Sequence, residues 1–110
     1  MRELKFRAWN KKKTLFPMTY NIELGYARVD FRRHKLMQYT GLKDKNGKEI
    51  YEGDIVKNYI GQVGTIIWVK KTCGFEIDMK CIGRHGIQKR LEIIGNIYEN
   101  PELIKETNAL

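Results

Sequence analysis

Between Leu4 and Trp9 the apolar residues Leu4, Phe6 and Ala8 alternate with Lys5, Arg7 and Trp9, the period-two signature of a strand with one dry face. Asn10 tolerates left-handed backbone and the three lysines after it repel one another unless solvated, so Asn10–Lys13 reads as a turn. Thr14–Tyr20 then returns as an edge strand, because Pro17 has no N–H to donate to a ladder. The stretch from Tyr20 to Phe31 is weaker and fits either a strand broken at Gly25 or a short helix. Lys35–Thr40 is predicted as a strand stopped by Gly41.

In the middle of the chain, Asn46-Gly47 offers the two left-handed positions of a type I′ turn, which would close a tight loop over Lys43–Lys48. Glu52-Gly53-Asp54 turns the chain into Asp54–Ile60, and Gly61 and Gly64 bracket another bend. Thr65–Val69, rich in β-branched and aromatic residues, is predicted as a central strand. A turn at Thr72-Cys73-Gly74 joins it in a hairpin to Phe75–Lys80, with Phe75, Ile77 and Met79 on one face and Glu76, Asp78 and Lys80 on the other. Cys81–Arg90 is either a glycine-punctuated loop or a short hairpin, and Leu91–Tyr98 resumes a buried run that should close the sheet. Asn100 as N-cap and Pro101 at the first helical position predict a short C-terminal helical turn.

Short strands, glycines at the bends and the absence of a long 3.6-residue period predict a mainly β fold. The expected architecture is a small SH3-like β-barrel over residues 39–100, preceded by an N-terminal β extension (residues 1–38) and followed by a tail (residues 101–110).

A chain of 110 residues has room for one core, and 42% hydrophobic with 11% aromatic residues is a globular composition. The net charge of +8 is uneven: ten Lys/Arg face three Asp/Glu in residues 1–35, ten face six in residues 36–90, and one faces four in residues 91–110. A basic front and an acidic end suit attraction to phosphate or to the complementary end of a neighbouring subunit. No apolar run approaches the roughly 20 residues that span a bilayer, and Met1-Arg2-Glu3-Leu4 leads into alternation instead of a signal-peptide core. The expectation is therefore a cytoplasmic protein without a membrane partner, in which Cys73 and Cys81 stay as free thiols.

Glu49, Glu52 and Asp54 lie close together, yet their spacing is not that of a calcium loop; Asp54 is better suited to binding N–H groups at the turn, with Glu49 and Glu52 offsetting Lys43, Lys45 and Lys48. Cys73, Cys81, His34 and His85 lack zinc-ligand spacing, and neither a phosphate-loop nor a dinucleotide fingerprint occurs. A Cys nucleophile would need His34 or His85 within hydrogen-bond reach. Gly83-Arg84-His85-Gly86 reads as a plain turn. The basic residues carry more: Arg7, Trp9, Lys11, Lys12, Arg32 and Arg33 combine cations with an aromatic ring, the equipment of a single-strand nucleic-acid surface. The competing reading has Trp9 filling an interface while the lysines keep the protein soluble.

Three blocks, MRELKFRAWN, LMQYTGLKDKNGKEIYEGDIVK and IIGNIYENPEL, taken together and in this order, resemble the YopX family of bacteriophage and prophage proteins. The resemblance implies a mainly β domain encoded by phages and prophages of Gram-positive bacteria, and it brings neither an activity nor a cofactor with it. No catalytic, cofactor or metal residue is assigned. The leading expectation is a non-enzymatic accessory protein that forms a homo-oligomer or binds a phage or host protein, with the strand Lys5–Trp9 adding to a neighbour's sheet. The alternative is nucleic-acid binding through the basic, aromatic N-terminal face.

Overall fold

The computed structural model describes residues 4–11, 17–22, 34–79, 83–87 and 90–104, apart from the side chains of Asn21, Ile22, Arg84 and His85. The fold is mainly β, with two antiparallel sheets, one of them a half-barrel, and one short helix. The strands are β1 (Phe6–Asn10), β2 (Met18–Ile22), β3 (His34–Lys43), β4 (Glu49–Tyr51), β5 (Asp54–Lys57), β6 (Val63–Val69), β7 (Gly74–Met79), β8 (Gly83–Gly86) and β9 (Glu92–Asn96). The first sheet has the order β2-β1-β3-β4 and the second the order β8-β7-β6-β5-β9. Lys12, Arg32, Arg33, Cys81 and most of the ambiguous stretch before β3 lie outside the described residues.

Strand β6 is the middle strand of its sheet and forms the expected hairpin with β7, pairing Ile66 with Ile77 and Trp68 with Phe75. Alternation on β7 buries Ile77 and Met79. With Ile50, Val56, Ile66 and Leu91 they make the principal core. Gly64 permits that packing: a Cβ there would meet the Ile77 Cγ2 at 2.5 Å and the Met79 Cγ at 2.9 Å. Gly83–Gly86, read as a plain turn, is instead a short strand against β7, so the open choice between loop and hairpin resolves to the hairpin. Strand β9 pairs with β5 at the edge of the sheet. The C-terminal helical turn covers Glu102–Ile104, directly after Pro101.

Four expectations change. Strand β1 is flanked by β2 and β3, so it is interior and has no free ladder for a neighbouring sheet; the edge position belongs to β2, which follows Pro17. Strand β3 does not stop at Gly41 (φ 87) but passes through it with a shift of register, a bulge that lets the strand bend on toward β4. The expected division at residue 38 consequently falls inside β3. The Asn46-Gly47 turn is not type I′, because only Gly47 (φ 82) is left-handed. Asp44 is the reason: its Oδ1 accepts the N–H groups of Asn46 and Lys48, both at 2.9 Å, and stabilises a wider loop.

Asp44 also reaches the second sheet, where its Oδ2 accepts the N–H of Ile93 at 3.1 Å while the Lys45 N–H donates to the Leu91 carbonyl at 2.8 Å. Burial pushes this carboxyl up, but the N–H groups of Ile93, Lys48 and Asn46 outweigh it and hold the carboxyl below its ordinary value. One side chain thus fastens the β3–β4 loop to β9. Between β4 and β5 the Glu52-Gly53 turn carries the chain from one sheet to the other.

Candidate functional site

The corner between β4 and β5 receives Arg7. Its Nη2 donates to Asp54 Oδ1 at 2.8 Å, and both side chains are 3% exposed. The same nitrogen lies 3.4 Å from the Glu52 carbonyl, and the guanidinium sits 4.7 Å from the centre of the Tyr51 ring. Asp54 Oδ2 accepts the Tyr51 N–H at 2.7 Å, the turn-capping role expected from sequence. Burial raises the Asp54 carboxyl above its ordinary value against the pull of Arg7 and the Tyr51 N–H. Arg7 Nε and the Tyr51 hydroxyl are buried there without a hydrogen-bond partner among the described residues.

This arrangement corrects the assignment of Arg7 as a phosphate contact: an arginine buried against a carboxylate has no face to offer a polyanion. The sequence pattern placed Arg7 opposite the dry face of β1, whereas both faces are covered, with Arg7 and its neighbour Ala8 equally buried. Lys5 is engaged as well, 2.7 Å from Glu49 Oε2 and 5.5 Å from the centre of the Tyr39 ring. Among the described residues Glu49 therefore pairs with Lys5, just ahead of β1, and not with the lysines of the neighbouring loop. Trp9 is half-buried and stacks on Tyr98, ring centroids 5.8 Å apart with the planes 15° from parallel. Of the remaining residues assigned to that face, Lys11 is exposed.

Among the described residues no three His, Cys, Asp or Glu side chains come together. Cys73 is exposed at the β6–β7 turn in a left-handed conformation (φ 50), its thiol on the Lys70 carbonyl at 3.4 Å. His34 opens β3, and the side chain of His85 is not described. No helix in the described residues is long and apolar enough to cross a membrane.

The feature that sequence reasoning missed is an apolar crevice of about 240 Å³ between the sheets, lined by Leu36 of β3, Ile67 and Trp68 of β6, and Ile97 and Tyr98 after β9. Tyr98 ties the crevice to the Trp9 stack, and Trp68 extends the aromatic surface to Phe75, edge-on at 5.0 Å. Trp68 falls on the same face of β6 as the core residue Ile66, yet 40% of it is exposed. A Trp at the last core-facing position before a turn was the available signal. Glu52 also lines the crevice.

A family model described as "YopX protein" matches residues 13–105, which takes in the central and C-terminal blocks noted above. No curated protein matches the chain. Among solved structures, the crystal structure of protein EF1440 from Enterococcus faecalis is similar, with a TM-score of 0.59 and 25% identity over 94% of this chain and 99% of that one.

Proposed function

The chain belongs to the YopX family, and from that premise we propose that it is a non-enzymatic accessory protein of a phage or prophage that works in the host cytoplasm by associating with a second copy of itself. We read its half-barrel as SH3-like. The observation that carries the proposal is the aromatic crevice: a sheet-to-sheet opening whose rim residue Trp68 is 40% in water although it continues the core face of β6. A large apolar group at such a position gains from a second surface, because burying it removes apolar area from water at about 25 cal/mol per Å². Complementary ends favour a like partner: the first 35 residues carry ten cations to three anions, the last 20 one to four.

Light scattering on a size-exclusion column tests the reading. A mass above one chain that falls to one chain in Trp68→Ser supports it. A mass of one chain at every concentration overturns self-association, and a phage or host protein that protects Trp68 from solvent would then be the occupant.

A further inference from the structure

At one end of the five-stranded sheet an open cleft of about 430 Å³ is lined by Lys57, Tyr59, Ile60, Lys45, Arg90 and Glu92, gathered from the β3–β4 loop, the β5–β6 hairpin and the approach to β9. Three of these are cations and one is an anion. Glu92 is taken up by Lys45 at 3.1 Å, and neither Lys57 nor Arg90 has an ion-pair partner among the described residues. Arg90, one of two non-glycine residues with positive φ (68) among the described residues, takes the uncommon left-handed conformation at the point where it lines the cleft.

The hairpin tip beside these cations is built stiff. Asn58 Oδ1 accepts the N–H groups of Ile60 at 3.0 Å and Gln62 at 2.9 Å, and its Nδ2 donates to Gln62 Oε1 at 2.8 Å. Its N–H donates to the Gln62 carbonyl and its own carbonyl accepts from Gly61, each at 3.0 Å. This brace holds out Tyr59, 76% exposed, and Ile60, 65% exposed, with Leu4 the most exposed large hydrophobic residues among those described. The loop backbone that carries the ring is thus ordered before any ligand arrives, which lowers the cost of presenting it.

We propose that this cleft binds single-stranded nucleic acid, with Lys57 and Arg90, and Lys45 in exchange with Glu92, against successive phosphates and Tyr59 as a stacking platform for a base. Cations around an open cleft would suit any polyanion. The exposed ring on a braced backbone selects among them, because a base offers it a π-face to stack on and a run of carboxylates does not. The surface is distinct from the N-terminal face and from the Trp68 crevice, so it stands whether or not the chain self-associates.

Fluorescence anisotropy of a fluorescein-labelled oligothymidylate tests it. Two to three phosphates neutralised on a single strand predict a roughly 7- to 18-fold loss of affinity between 50 and 200 mM salt. Tyr59→Ala should lower affinity by about 5- to 150-fold, the loss of one stacked base. Lys57→Gln with Arg90→Gln should weaken binding and flatten the salt dependence, and circular dichroism shows whether each variant is folded. Trp68→Ser should leave binding unchanged. No binding at 50 mM salt, binding indifferent to Tyr59→Ala and to the double variant, or equal displacement by polyglutamate at matched charge would each overturn the proposal, the last by assigning the cleft to acidic polypeptide.

Discussion

Exchanging Arg7 for Met leaves the Asp54 carboxylate buried with the Tyr51 N–H as its remaining donor, and exchanging Asp54 for Asn leaves a guanidinium buried without an anion. Each single change should destabilise the fold by about 3–5 kcal/mol, because both side chains are 3% exposed and an uncompensated charge at that depth keeps its desolvation cost. That is a large part of the roughly 5–15 kcal/mol that holds a domain together. Burial already holds the Asp54 carboxyl above its ordinary value, so ionising it in place has a cost that Arg7 only partly offsets. The double variant Arg7→Met with Asp54→Asn removes both charges and keeps an oxygen for the Tyr51 N–H, and it should cost less than either single change. The coupling should then exceed the larger single loss, about 3–5 kcal/mol or more, and so lie above the roughly 0.5–3 kcal/mol usual for contacting residues. Urea unfolding followed by far-ultraviolet circular dichroism measures all four proteins. A double variant that loses the sum of the two single losses would refute the reasoning, since the residues would then contribute independently.

Further outcomes follow from neighbouring groups. Tyr51→Phe removes a buried hydroxyl with no partner and keeps the ring under Arg7, so thermal unfolding should show stability unchanged or raised by about 1 kcal/mol; a loss above that would mean the hydroxyl is bonded. Gly64→Ala puts a methyl into Ile77 and Met79 and should cost about 1–3 kcal/mol by urea unfolding, whereas an unchanged midpoint would show that the two sheet strands have room. The Asp44 carboxyl sits below its ordinary 3.8, so its contribution is complete above pH 3.8 and is lost as pH falls through the folded-state value. Asp44→Asn should therefore cost about 1.5–3 kcal/mol at neutral pH, with the gap to the wild type closing in acid. Asp54 shifts the opposite way, its contribution present below 3.8 and lost as pH rises through its raised value, so the Asp44 titration is best measured in the Arg7→Met, Asp54→Asn double variant, which lacks that carboxyl without leaving a buried guanidinium unpaired.

The sequence was most informative where its signals are local. Alternation predicted the β6–β7 hairpin with the correct inward residues, since the facing strands are joined by one short turn and a period of two is visible within six residues. Pro17 marked the edge strand and Asn100-Pro101 the last helical turn for the same reason. The crevice, the cleft and the buried Arg7–Asp54 pair were illegible because each is assembled from distant segments. Arg7 and Asp54 are separated by 47 positions and Asp44 and Ile93 by 49, and nothing near Arg7 shows that its partner is a buried carboxylate and not a phosphate. The Asn46-Gly47 signal was overridden by Asp44, whose side chain competes for the same loop N–H groups. Charge counts located the basic half of the chain, while the cations that line the cleft, Lys45, Lys57 and Arg90, lie outside the densest run of lysines.

The central claim, that a second copy of the chain covers the crevice between the sheets, is most directly tested by the fluorescence of Trp68 alone. A Trp9→Phe variant keeps a ring to stack on Tyr98 and leaves Trp68 as the single reporter. Burial of Trp68 against a second copy should move its emission maximum to shorter wavelength as protein concentration rises, with the same midpoint as the increase in mass. An emission maximum that stays at long wavelength while the mass increases would contradict it, because the chains would then meet on another surface.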